Sequence, residues 1–156
     1  MTTGYPVAAE ALDLEIFQLV CVFSASQSLA RIESTYPCLR WVRATFETSE
    51  ASRRLIGLAV MLRNSLDARI GTKSKAVVGR LVADVSRPSQ TVELSLREAC
   101  NKIIHAELVD LSLGSNEHEE CPPLADTIKL QGTHRQKEWE AQIDVLSFLN
   151  AACTKF

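Results

Sequence analysis

Between Leu12 and Ala30, the residues Leu12, Ile16, Leu19, Phe23, Ser26 and Ala30 recur at alternating steps of four and three. Five are apolar and Ser26 is small, so together they line one face of a helix with 3.6 residues per turn. Phe17, Val20 and Cys21 widen that stripe. A stripe this wide must be laid against other elements, so the chain opens with a well-buried helix over about Ala8 to Glu33. Pro37 ends it or forces a break, because a proline disfavours helical geometry in the residue before it.

A second helical region begins near Cys38. Leu39, Val42 and Phe46 form its first apolar face. The pattern weakens over Thr48, Ser49 and Ser52, then resumes with Leu55, Leu58, Ala59, Leu62 and Leu66. One long helix and two collinear helices with a boundary near Ser49 both fit. Gly71 is the expected C-terminal cap.

The period then changes. Val77 to Val85 is rich in β-branched valine and carries no helical stripe, which favours a strand. The Ser86–Gln90 cluster is a turn, and Thr91 to Leu94 returns as a short antiparallel partner. Ser95-Leu96-Arg97-Glu98 is a capping box, in which the Ser95 hydroxyl and the Glu98 carboxylate each satisfy the other residue's amide. That helix is expected to reach about Leu111, with Leu96, Cys100, Ile103 and Leu108 facing the core. Glu98 and Lys102 form an oriented pair four residues apart.

Gly114 to Pro123 is polar and acidic, hence a surface loop. Ile128 and Leu130 alternate with polar residues, as do Trp139, Ala141 and Ile143, and Gly132 to Lys137 between them is turn-like. A β-hairpin follows from that pattern. Asp144 can cap a last short helix carrying Val145, Phe148, Leu149 and Ala152. The expected fold is mainly α: a helical bundle with a small β-hairpin near the C-terminus, of α+β class, forming a single domain over 1–156.

Size and composition agree with this. A chain of 156 residues buries about two-thirds of the surface its unfolded form exposes. The hydrophobic fraction of 46% and charged fraction of 23% are ordinary for a globular protein. No apolar run approaches the roughly 20 residues that cross a bilayer. Met1 to Glu10 lacks a basic region followed by an apolar run, so no secretory signal is read there. A soluble cytoplasmic protein is expected. Cys21, Cys38, Cys100, Cys121 and Cys153 are odd in number, widely spread and without a Cys-x-x-Cys pair. Neither a disulfide framework nor a zinc site fits. Cys21, Cys100 and Cys153 have apolar neighbours and are expected to act as small hydrophobes.

Net charge is −2, unevenly spread: Arg31 to Arg87 holds eleven basic and five acidic residues, a local excess of +6. Such a segment can meet nucleic acid or an acidic partner. Arg43 with Glu47 and Glu50 with Arg54 are, however, spaced to neutralise each other along a helix.

No phosphate-binding glycine loop, Gly-x-Ser-x-Gly elbow or His-Glu-x-x-His motif occurs. Arg97, Asn101 and His105 stand at successive steps of four, each about 40° round from the last, and so form one slanted polar stripe. Histidine is suited to proton transfer near neutral pH, an amide can orient a substrate, and arginine can hold a phosphate. The plainer alternative packs His105 beside Ile104 and Leu108 and uses Asn101 to tie the helix to the following hairpin. Three further groups carry less. His118-Glu119-Glu120-Cys121 is metal-capable but reads as a solvated acidic loop. Gly132-Thr133-His134-Arg135 is a polar hairpin tip that can touch a phosphate or a partner. Trp41 and Trp139 suit packing better than base stacking. No cofactor and no metal are expected.

The run Cys100-Asn101-Lys102-Ile103-Ile104-His105 resembles the late helix of HEPN domains, which are helical bundles of bacterial defence, toxin and RNA-processing systems. Asn101 and His105 match two places of that family's Arg-to-His motif, and Cys100 stands where Arg is usual. The resemblance implies a homodimer and, with that Arg replaced, binding before catalysis. The expected function is a small non-catalytic interaction module of bacterial or mobile-element type, serving defence or counter-defence by docking protein or RNA. Its rival is a HEPN-like, metal-independent ribonuclease in which His105 handles the ribose hydroxyl proton, Asn101 assists and Arg97 holds the phosphate. An inhibitor that binds a defence protein is a third reading.

Overall fold

The narrow stripe that opens the chain is buried: Leu12, Ile16, Leu19, Phe23 and Ser26 of helix α1 (Ala9–Ile32) face the core, whereas Phe17 and Cys21, expected to widen it, are exposed and Val20 and Ala30 are half-buried. The computed structural model describes residues 9–68, 76–112 and 122–154. A second helix, α2 (Pro37–Ala68), is continuous through Ser49 and starts at the proline, whose fixed φ suits a first helical position. Strands β1 (Val77–Val82) and β2 (Thr91–Ser95) lead to α3 (Leu96–His105). Strands β3 (Leu108–Ser112), β4 (Leu124–His134) and β5 (Lys137–Asp144) follow, and α4 (Val145–Cys153) closes the described chain.

The architecture mixes helix and sheet, but the β part is larger than a hairpin. All five strands join one antiparallel sheet of order β2-β1-β5-β4-β3, with the expected β4–β5 hairpin at its centre. Alternation decides its faces. Leu81, Ala141 and Leu130 stand opposite one another on β1, β5 and β4, and all are buried in the common core with the helices. The next row, Glu93, Arg80, Gln142, Lys129 and Asp110, runs across all five strands on the other face and is polar throughout. Helices therefore cover one face of the sheet and leave a hydrophilic one.

Two expectations are corrected. The helix begun by the capping box stops at His105, with Ala106 extended, and Leu108 starts a strand instead of facing the core. The Glu107 amide already donates to the Gln131 carbonyl, and β3 continues that ladder along β4. Pairing with a neighbouring strand there prevails over helical spacing. Leu39, Val42 and Phe46 are also exposed, not buried: the first half of α2 extends past the core, and among its described side chains before Ala51 only Arg43 is buried. Cys100 is buried, whereas Cys21 and Cys153 are exposed. Gly71, most of the acidic loop and the His118–Cys121 cluster lie outside the described residues.

Two polar contacts pin the helical hairpin to the sheet. Ser26 Oγ, fully buried, accepts from the Leu124 amide at 2.8 Å where β4 begins. Arg43 donates to both carboxylate oxygens of Glu33, at 2.7 and 2.9 Å, to Glu47 at 3.1 Å and to the Pro122 carbonyl at 3.4 Å. The loop after α1, the start of α2 and the lead into β4 thus meet at one guanidinium.

Candidate functional site

Helix α3 is capped at its start by Ser95, whose side chain accepts from the Glu98 amide as expected; the Glu98 carboxylate reaches back to the Ser95 hydroxyl, at 3.1 Å, in place of the Ser95 amide. Leu96, Ala99, Cys100 and Ile103 are buried against the core. That placement turns Asn101, Lys102 and His105 toward the β4–β5 hairpin, and a cleft of about 740 Å³ opens between them. Glu98, Asn101, Lys102 and His105 line it from the helix, Thr133, His134 and Trp139 from the hairpin, Leu81 from β1 and Arg63 from α2.

Each wall has a local cause. Trp139 is 3% exposed and packs flat against Gly132, where a β-carbon would stand 2.6 Å from Trp139 Cζ2. Only glycine lets β4 approach the ring so closely. The Lys102 ammonium lies 4.0 Å over the ring centroid, a cation–π contact, while Ser95 takes the Glu98 carboxylate. Burial holds the Lys102 amine below its ordinary pKa, partly countered by the charge of Glu98. His105 and His134 are both exposed, and neither ring has a hydrogen-bond partner among the described residues. Asn101 Oδ1 is shielded from water and also unpartnered among them. Leaving such an acceptor unmet costs about 1–3 kcal/mol.

The stripe predicted on this helix divides. Asn101 and His105 share the cleft, but Arg97 points away and binds Asp67 at 2.5 Å. Asp67 also takes Arg63 Nε at 2.8 Å, and it is Arg63 that lines the cleft. Sequence spacing alone missed Arg63 and Lys102. The first sits in another helix, and the second is read as the partner of Glu98. His134, noted as part of a hairpin tip, proves to share a cavity with His105. The open His105 ring removes the alternative in which Ile104 and Leu108 enclose it.

Part of the basic middle of the chain is neutralised where it stands: four of its described arginines are ion-paired. Arg43 binds Glu33 and Glu47, Arg53 binds Glu50, Arg54 binds Glu15 and Glu50 and touches Gln18, and Arg63 binds Asp67. The helical pairs anticipated from spacing, Arg43 with Glu47 and Glu50 with Arg54, both form. Among the described residues no cluster of three metal-capable side chains occurs, and no helix is long and apolar enough to cross a membrane. Compared with protein-family models, with curated proteins and with solved structures, the chain matches none of them.

Proposed function

We propose that the protein is an interaction module that binds single-stranded RNA in the cleft between α3 and the β4–β5 hairpin. The observation that carries this reading is an unpartnered acceptor, Asn101 Oδ1, beside the cationic Lys102 in a cavity whose far wall holds Arg63, itself paired with Asp67. Cations take phosphates, and an unmet acceptor takes a hydroxyl donor once the amide turns about its Cβ–Cγ bond. RNA offers both in one repeating unit, whereas DNA lacks the 2′-hydroxyl. Trp139 is too enclosed to stack on a base and serves as the floor under Lys102.

Binding measured by fluorescence anisotropy tests this. Single-stranded RNA is expected to bind more tightly than DNA of the same sequence, and Asn101→Leu should bring the two together while leaving the fold intact. Equal affinity of the wild type for both, or no binding at low salt, contradicts the reading.

One observation favours the ribonuclease reading as a second choice: His134 joins His105 in the cleft, one imidazole from the hairpin and one from the helix. One ring would take the ribose 2′-hydroxyl proton as O2′ attacks phosphorus, and the other would protonate the departing 5′-oxygen, leaving a 2′,3′-cyclic phosphate. RNA incubated with EDTA separates the readings. Cleavage lost in His105→Ala and in His134→Ala selects the enzyme, and intact RNA selects the module.

We further propose that the module pairs with a second copy of itself through the open side of the α1–α2 hairpin. Phe17, Cys21, Ala25 and Ile32 share the α1 face turned away from the core, and Cys21, Ala25 and Leu29 line a groove with Val42 and Phe46 of α2. Phe17 and Trp41 are each 64% exposed, and Trp41 packs edge-on against Phe46 at 6.2 Å. Exposed aromatic and aliphatic side chains of this kind are what the buried centre of a homodimer interface is made of. Sedimentation should report a dimer that Phe17→Glu with Phe46→Glu converts to monomer. A monomeric wild type at high concentration contradicts it.

A further inference from the structure

We infer that the RNA site does not end at the cleft but continues over the hairpin tip into a second basic cavity, so that its ligand is a chain of several phosphodiesters and not a mononucleotide. This rests on the proposed RNA-binding reading. A cavity of about 440 Å³ adjoins the cleft and shares Lys102, His134 and Trp139 with it as a common wall. Its far side is formed by Arg87, from the turn after β1, and by Arg135 and Lys137 of the hairpin.

The cations there are not equivalent. Lys137 is held by Asp84 at 3.3 Å, and the Ser86 hydroxyl also donates to that carboxylate, at 2.5 Å. The guanidinium groups of Arg87 and Arg135 have no partner among the described residues. Of the charges lining this cavity, Asp84 and Lys137 offset each other, which leaves Arg87 and Arg135 as its positive excess. Arginine presents a planar donor fork that suits phosphate oxygens.

The backbone at the tip fixes where Arg135 stands. The two-residue turn between His134 and Lys137 holds Arg135 at φ 49° and Gln136 at φ 65°. Both lie in the left-handed region, which a tight hairpin normally fills with Asn-Gly because other side chains are strained there. Arg135 follows His134, which lines both cavities, so the turn sets the Arg135 side chain at the rim of the second one. The strained tip projects a guanidinium beside the shared wall of the two cavities.

The continuous site then carries Lys102 in the shared wall and Arg87 and Arg135 beyond it, while Arg63 on the cleft side is already held by Asp67. Three phosphate contacts on a single strand predict that log affinity falls with log salt at a slope of about −2. The test compares an RNA dinucleotide, a single-stranded RNA hexamer and inorganic tripolyphosphate across a salt series, using wild type, Arg87→Ala and the double variant Arg135→Asn/Gln136→Gly. The hexamer should bind the wild type at least tenfold more tightly than the dinucleotide. Each variant should lose most of that advantage and make the hexamer's slope shallower by about 0.7, with dinucleotide binding unchanged. The double variant should also be more resistant to urea, because its turn is relaxed, which separates lost binding from lost fold. Equal affinity for dinucleotide and hexamer, or tripolyphosphate competing as well as the hexamer, overturns the extended site and leaves the cleft standing. No binding of any RNA overturns the cleft itself.

Discussion

The Lys102 ammonium lies over the ring of Trp139, 4.0 Å from its centroid, and this pair forms the wall between two cavities of the same surface. The ring is buried and cannot move toward a ligand, so it fixes where the charge stands. A cation–π contact of this kind contributes about 0.5–2 kcal/mol. Here the partial desolvation that lowers the Lys102 pKa opposes it.

Lys102→Met therefore separates function from stability. The methionine keeps the apolar stem against the ring and removes the charge, so the melting temperature should stay the same or rise. RNA affinity should fall about fivefold at every sequence, with a shallower salt slope, as for loss of one phosphate contact. The lowered pKa gives the same sign: the cost of the buried charge is present at neutral pH and is relieved only as pH rises through the depressed value. Calorimetry and anisotropy on one preparation check both halves. A marked loss of stability contradicts this balance.

Arg43 is the opposite case, a charge the fold depends on. Its side chain is 2% exposed and those of Glu33 and Glu47 are 14% and 8% exposed, so Arg43→Met removes the one guanidinium that binds both shielded carboxylates and leaves Glu33 only the more distant charge of Arg40. Removing one partner of such a cluster costs about 3–5 kcal/mol, and the melting temperature should drop by roughly 6–15 °C. RNA binding by the folded fraction should be unaffected, because the cluster lies at the other end of the helical hairpin's contact with β4.

The same cluster sets the acid limb. The hydrogen bond from Arg43, with its charge, holds the Glu33 carboxyl below its ordinary range, and Arg53 and Arg54 hold Glu50 down to about 2. A carboxylate with a lowered folded pKa contributes stability that is complete above its unfolded pKa and is lost as pH falls through the folded one. Stability should thus decline from about pH 4.5 downward. Arg43→Met should flatten the Glu33 part of that decline, as read from urea midpoints between pH 6 and pH 2.5.

Gly132→Ala tests the close approach that places Trp139. The added carbon would stand 2.6 Å from Cζ2 and 2.9 Å from Cε2 of the Trp139 ring, which must shift to admit it. A loss of about 1–3 kcal/mol is expected, together with weaker RNA binding as the platform under Lys102 shifts. Unfolding in urea gives the first quantity, and unchanged stability would show that the ring is free to move.

Much of this frame was readable beforehand, and the exceptions share a cause. The α1 stripe, the capping box at Ser95, the Asp144 cap, which accepts from the Ser147 amide at 2.7 Å, and the alternating strands of the last hairpin are local patterns. Each is written within a dozen or so neighbouring residues, so one sequence suffices to see it. Leu108 looked like the end of a helix because its spacing fits one, but its conformation is decided by Gln131 on another strand. The candidate site divides in the same way. Asn101 and His105 were visible as a stripe on one helix, whereas Arg63 and His134 reach the cleft from other elements. Arg97 shares the helical stripe yet is drawn off by Asp67 of α2, a contact no spacing on its own helix could announce.

The most direct measurement is a titration of the isotopically labelled protein with a single-stranded RNA hexamer, followed by NMR. The account predicts that the His105 and His134 ring signals, the Asn101 side-chain amide and the Trp139 indole shift together and saturate at one concentration. The polar row across the open sheet face, such as Gln142, should stay still. Shifts confined to that face or to α1 and α2, with both imidazoles unmoved, would contradict it.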